Sequence, residues 1–345
     1  MMMRLVYWML FVVALALVCA LLPGCAHAGT VNVLSPGYGA QCNGSNDDTA
    51  GLLAAVADAQ RTRSTLYVPS GAICRTNESL VFTSMTGLKG DGPNVSWLMY
   101  CGQGDAVIIR PSVSGADNSG QQIESIGILP CVPGGGQYGI HVELAPGAFY
   151  SDFDIDRVNI GDFGTRALWL DNRVGNRDGI FTGRISRSVL RNGVLADGLG
   201  DSVAFLDNKI TGHGNVLLRG LAGAAGSSIV GGQITTSQGF LILVGVESFR
   251  VERVWMESPG PWHGGDTAIQ LADTIDAQFM GNVIDPITSS IGPAQVFGMM
   301  GATRGTVLRD NRVISPAQAA EVYGTSSVSG TTVEPKAALR VVLQG

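Results

Sequence analysis

Three acidic residues occupy the same place in three successive apolar segments. They are Glu143 in Gly139-Ile140-His141-Val142-Glu143, Asp171 in Leu168-Trp169-Leu170-Asp171 and Asp197 in Val194-Leu195-Ala196-Asp197. The next segment, Val216-Leu217-Leu218-Arg219, carries a base there. Alternate side chains of an extended strand point to opposite faces, so inward apolar pairs leave the residues between them facing out. Two outward columns follow. One reads Ile108, His141, Trp169, Leu195, Leu217, Leu241, Gln270, and the other Arg110, Glu143, Asp171, Asp197, Arg219, Leu243, Ala272. Neighbouring strands of a sheet lie about 4.8 Å apart, so carboxylates on successive strands crowd one another. Like charges at that distance raise at least one carboxyl pKa, which sets a proton donor beside an ionised partner. Cleavage of a glycosidic bond needs such a pair, about 5 Å apart for retention and about 6.5–9.5 Å apart for inversion.

The expected acid/base pair is therefore Asp171 and Asp197, with Glu143 as a third carboxylate. Trp169 offers a face for a sugar ring, and His141 and Arg219 offer hydrogen-bond donors to its hydroxyls or a carboxylate. Hydrolysis by such a pair implies no cofactor and no metal. A rival chemistry is elimination from a uronate, with Arg219 as the base and the acids holding Ca²⁺, which prefers oxygen ligands. A bland reading stands beside both: Arg110 and Arg219 simply neutralise the acids of a solvated face, and a one-residue slip in register turns every face around.

Those columns need elements that repeat. A short pattern, apolar-x-x-(Asn/Gly/Ser or apolar)-x-apolar, starts at Ile123, Ile155, Ile185, Phe205, Ile229, Val251, Phe279 and Leu308. Its middle position reads Ser188, Asn208, Gly232, Asn282 and Asn311 in five copies. Asn and Gly tolerate a left-handed backbone, so they are expected as corners where the strand turns. A recurrence in this size range marks a solenoid, whose repeats bury their apolar faces only by stacking. Short β-branched segments with Gly/Asn corners select a parallel β-helix, each rung carrying a second strand after its corner.

Residues 37–98 add a cap and a resemblance. Asp47, Asp48 and Thr49 stand at a helix N-terminus, and Leu52, Leu53, Val56 and Ala57 form an apolar stripe at helical spacing. Such a helix plugs the open end of the coil, as solenoid ends require. The run Tyr38-Gly39-Ala40, Asn46-Asp47-Asp48-Thr49, Leu66-Tyr67-Val68-Pro69-Ser70-Gly71 and Leu88-Lys89-Gly90-Asp91-Gly92 resembles the opening of the pectate-lyase-like superfamily. It is most similar to the group of rhamnogalacturonase- or polygalacturonase-related (glycoside hydrolase family 28-like) proteins and phage tailspike depolymerases. The resemblance covers about 60 residues closely and the later coils by pattern. It implies an all-β, right-handed, single-stranded parallel β-helix acting on polysaccharide, with Asp47-Asp48-Thr49 structural. Gly212-His213-Gly214 echoes a polygalacturonase motif, but the Asn-Thr-Asp, Asp-Asp-Cys and Arg-Ile-Lys signatures are missing, and flanking glycines are ordinary at a turn. The insertion Glu257–Asp266, with Trp262 and His263, is either a binding loop or a cover for the coil's side.

The remaining signals concern location. Arg4, the apolar run Leu5–Leu22 and Ala26-His27-Ala28 read as an export signal. Leu22-Pro23-Gly24-Cys25 is a rival, a lipoprotein box that would lipidate Cys25, and a retained anchor is the third option. All three place the chain outside the cytoplasm: secreted, periplasmic or an outer-membrane lipoprotein. Beyond the export segment remain Cys42, Cys74, Cys101 and Cys131, an even number that suggests two disulfides in an exported protein. Three pairings are open, and the layout favours Cys42–Cys74 with Cys101–Cys131; metal ligation lacks a C-x-x-C spacing. Net charge is −6 with no basic block, so nucleic acid is excluded as a partner, as is a membrane beyond a lipid anchor. Sequons at Asn43, Asn77 and Asn94 matter only in a eukaryotic host. The expected organisation is a signal over 1–28, a cap with helix over 29–78, coils over 79–330 and a tail over 331–345, as a monomer. A non-catalytic glycan-binding or surface protein is the alternative from a different class.

Overall fold

All eight repeat starts lie side by side. In a computed structural model, Ile123, Ile155, Ile185, Phe205, Ile229, Val251, Phe279 and Leu308 are parallel Cα partners in one sheet, and every one of these side chains is in the core. The residues five places on, from Ile128 and Ile160 to Ile284 and Val313, form the matching column of a second sheet. A third sheet carries the segments with the acids. The structure describes residues 29–343 except 84–85, 112–118, 176–178, 222–224, 260–261, 264–266, 287–294, 315–320, 325–331 and 335–339. Among the described residues the sheets hold 12, 10 and 13 strands, so the parallel β-helix runs nearly the whole described length.

Each coil therefore has three strands rather than the expected two, as in Gln122–Glu124, Gly127–Pro130 and Tyr138–Glu143. First and second strands are so close that the pattern reads as one element. The corner between them also differs from expectation. The left-handed residue is the one before the Asn/Ser position: Ser125, Arg157, Arg187, Asp207, Gly231, Arg253, Gly281 and Asp310 all have φ between 49° and 67°, and of the expected corners Gly232 is left-handed as well (φ 76°). Ser188, Asn208, Asn282 and Asn311 instead turn inward and are buried. Asn282 Oδ1 accepts from the Val254 N–H (3.0 Å) while its Nδ2 donates to the Val251 carbonyl (3.0 Å) and to Asn311 Oδ1 (2.8 Å). These amides satisfy the backbone groups that the corner takes out of the sheets, which is why short polar side chains recur there. A second left-handed column, including Asp152, Thr182, Ser202, Ser248 and Asp276, precedes the first sheet.

One segment is slipped from its expected register. Leu241 pairs with Val216 and Leu243 with Leu218, so both leucines point inward and Ile242 and Val244 take their outward places. Phe240, expected as the first inward residue of the strand, is buried just before it, at the corner.

The helix spans Thr49–Thr62 and buries Leu52, Ala55, Val56 and Ala59 against the ends of the first strands. Leu53 is half-buried and Ala57 is exposed, so the stripe sits one step round from the expected one. Asp48 is buried, and its carboxylate accepts from the backbone N–H groups of Gln41 (2.7 Å), Cys42 (3.1 Å) and Arg75 (3.1 Å) rather than capping the helix. It thus ties the cap to the first rung. Cys42–Cys74 and Cys101–Cys131 are disulfides, the first joining cap to coil and the second joining successive rungs. Cys25 and the export segment lie outside the described residues, and among those described no helix is long and apolar enough to cross a membrane.

Candidate functional site

Parallel register fixes the acidic column. Glu143, Asp171, Asp197 and Arg219 are successive Cα partners in the third sheet, because Ile140/Val142, Leu168/Leu170, Val194/Ala196 and Val216/Leu218 are all fully buried beneath them. His141, Trp169 and Leu195 form the neighbouring outward column, as expected.

Surroundings depart from the picture of an open acidic ladder. Each acid has its own arginine. Arg110 donates to Glu143 Oε2 through Nε (3.1 Å) and Nη2 (2.7 Å), both side chains being about half exposed. Arg173 grips Asp171 in a fork, with Nε to Oδ1 at 2.9 Å and Nη2 to Oδ2 at 2.8 Å, and its backbone N–H adds a third bond at 3.0 Å. Arg219 and the Trp169 indole N–H (3.2 Å) both donate to Asp197. Asp171 and Asp197 are only 6% and 7% exposed, so the centre of the column is covered.

This clamp reverses one expectation. Burial by itself raises the Asp171 pKa, but the hydrogen bonds from the Arg173 side chain and backbone, with the charges of Arg173 and His141, outweigh it. Asp171 is held below the ordinary carboxylate range and is ionised at neutral pH. Crowding by its neighbours does not make it a general acid.

Trp169 is also not the free sugar platform expected of it. The His141 ring stacks on it at 4.2 Å and 9°, the Tyr138 ring lies 4.6 Å away, and the Arg173 guanidinium stands 4.4 Å from its centroid. His141, 7% exposed, does not face solvent either. Its Nδ1 lies 2.7 Å from Asp105 Oδ2, and its Nε2 is 3.5 Å from Asp171 Oδ2 with no hydrogen-bond partner. Tyr138 is buried beside them, and that burial raises its phenol pKa.

Asp105, Arg173 and Tyr138 were not foreseen. Asp105 precedes the strand Val107–Ile109, and Arg173 lies just past Arg166–Asp171. The strand pattern carries no signal for residues at such ends; the Asp171/Arg173 spacing was the one clue. Elsewhere, His213 stands exposed after Lys209–Gly212, and Trp262 packs edge-on against Phe240 at 5.6 Å, covering the coil; residues 260–261 and 264–266 of that loop lie outside the described residues. An open cleft of about 450 Å³ lies at the corner before the first sheet, lined by Gln122, Asp152, Asp154, Thr182, Arg184 and Ser202 among others.

No family model matches the chain, and no curated protein matches it. Among solved structures, the gp42 tailspike of Acinetobacter phage vb_AbaP_AS12 is similar with a TM-score of 0.62 at 11% identity, over 92% of this chain and 64% of that one. The enzymatically active domain of tailspike protein 2 from bacteriophage CBA120 gives 0.56 at 13%, over 89% and 52%. The A-module of mannuronan C-5 epimerase AlgE6 from Azotobacter vinelandii gives 0.55 at 16%, over 88% and 99%. The chain spans about half to two thirds of the length of the two tailspike structures. At such identities the likeness shows the fold, a parallel β-helix.

Proposed function

We propose that this chain is an exported protein that acts on a polysaccharide laid along the outward face of its third sheet, with hydrolysis as the reaction. The observation that carries the reading is the in-register column Glu143, Asp171, Asp197, with exposed arginine side chains over its carboxylates. Asp171, ionised at rest, is the base, and Asp197 on the next rung is its partner across the linkage. Substrate hydroxyls or a uronate carboxylate compete for Arg173 and Arg219 and so uncover the acids. Glu143 and Arg110 bind a neighbouring sugar. Neighbours named as an enzymatically active tailspike domain and a mannuronan epimerase lend the reading support through fold alone. Two disulfides favour an oxidising location outside the cytoplasm.

Elimination with Ca²⁺ fits less well. Every acid of the column already holds a guanidinium, Arg219 is engaged with Asp197, and among the described residues no group of three or more acids, histidines or cysteines is arranged for a metal ion. A second reading, a non-catalytic glycan-binding scaffold, is favoured by one observation: the first sheet carries similar pairs, Asp154–Arg184 and Asp156–Arg187, where no reaction is proposed.

A screen of neutral and uronate-containing polysaccharides, read by new reducing ends and by ultraviolet absorbance of unsaturated ends, separates these. Hydrolysis gives the first signal without the second. Asp171→Asn and Asp197→Asn should each lower turnover by about 10²-fold or more. Wild-type turnover in both variants would remove the site from the reaction, and binding without turnover would favour the scaffold reading.

A further inference from the structure

Asp171 is held ionised by Arg173, so it can protonate a leaving oxygen only after a proton has been delivered to it. We propose that Asp105, His141 and Asp171 form a proton relay, in which Asp105 and His141 are positioning residues behind the carboxylate that meets the substrate. This rests on the reading of Asp171 given above.

The geometry is specific. Asp105 Oδ2, 2.7 Å from His141 Nδ1, is placed to accept a hydrogen bond from it, which leaves Nε2 as the ring nitrogen on the side of Asp171. A buried histidine with a purely structural role uses both nitrogens. Here Nε2 is buried without a partner, as is Asp105 Oδ1, and a buried polar atom without a hydrogen bond is costly. Trp169, stacked at 9°, holds the ring plane, and Asp171 Oδ2 lies 3.5 Å from Nε2. That separation is long for a hydrogen bond, and catalytic contacts commonly tighten only when substrate is bound. Tyr138 and Trp169 complete the wall, and Arg173 covers Asp171 from outside.

The step balances as a simple proton transfer. When substrate draws Arg173 away, the imidazolium Nε2–H bond breaks and an O–H bond forms on Asp171. The ring becomes neutral and keeps Nδ1–H on Asp105. Asp171 then donates that proton to the leaving oxygen as the glycosidic C–O bond breaks and an Asp197 oxygen bonds the sugar carbon; water next displaces Asp197, and its proton returns through Asp171 to His141 Nε2. One carboxylate so serves as acid and as base in turn.

The test is nitrogen-15 NMR of the imidazoles in the full exported chain, with the His141 signals assigned by their loss in His141→Gln. At the alkaline end of its titration, His141 should show the Nδ1–H tautomer with a bare Nε2; an Nε2–H tautomer overturns the relay. Asp171→Asn should move the Nε2 resonance and leave Nδ1 nearly unchanged, and no response at Nε2 overturns the link. Asp105→Asn places an amide donor opposite Nδ1 and should drive the proton to Nε2, with kcat falling about 10²–10⁴-fold and KM changing less than about twofold. Wild-type kcat in Asp105→Asn, with Asp171→Asn inactive, overturns the relay and leaves the role of Asp171 intact. Full activity in Asp171→Asn overturns that reading instead. The wild-type and Asp171→Asn spectra decide the geometry even where Asp105→Asn does not fold.

Discussion

Arg173 decides what Asp171 can do. Its fork outweighs burial and holds the carboxyl low, and on the first sheet burial of Asp156 is likewise outweighed by hydrogen bonds from Arg187 and Ser186. A group whose pKa is depressed by folding adds stability above its unfolded value, about 3.9 for Asp, and loses it as pH falls through the lower folded value. Arg173→Ala should therefore lower the unfolding midpoint at neutral pH, and the gap to wild type should close as pH drops below about 4. Circular dichroism melts from neutral to strongly acid pH check this; a gap that is constant with pH contradicts it. At this scale the sequence was half legible. Apolar pairs flanking single residues pinned Glu143, Asp171 and Asp197 to one column. Asp105 and Arg173 lie at strand ends, where alternation carries no information, and the burial they create could not be read either.

Corners are where the elements answer to different physics than expected. Asn208, Asn282 and Asn311 recur because an inward amide satisfies backbone groups of adjoining rungs, while the residue before them takes the left-handed bend. From sequence both roles predict Asn at a fixed place, so only the one-residue offset tells them apart. Asn282→Ala strands the Val254 N–H and the Val251 carbonyl and should cost about 2–4 kcal/mol. Thr182, exposed, β-branched and at φ 46°, is the reverse case: Thr182→Gly relieves the backbone and should raise stability by up to about 1 kcal/mol. Denaturant titrations of the two variants should move in opposite directions; movement of both the same way contradicts these assignments. The slip at Leu241–Val244 has a similar origin, since an unbroken apolar run offers no alternation from which to read a face.

For the whole molecule, stacked repeats make stability local, and the two disulfides lie in its N-terminal part. Reduction should raise hydrogen exchange in residues 41–76 before it does so in the central coils; uniform exchange along the chain contradicts this. The parallel β-helix and its plug were readable because a recurring period and a helix stripe survive insertions. The third strand of each coil was not, since its distance from the corner varies with loop length. What the assembled surface does is tested most directly by a crystal structure of Asp171→Asn with an oligosaccharide of a glycan that the protein binds or cleaves. The sugar linkage should lie over the substituted position 171 and Asp197, with Arg173 swung off the column onto a sugar hydroxyl or carboxylate. An oligosaccharide seated instead in the cleft of Gln122, Asp154 and Arg184, with Arg173 still against position 171, would contradict a reaction centre on the third sheet.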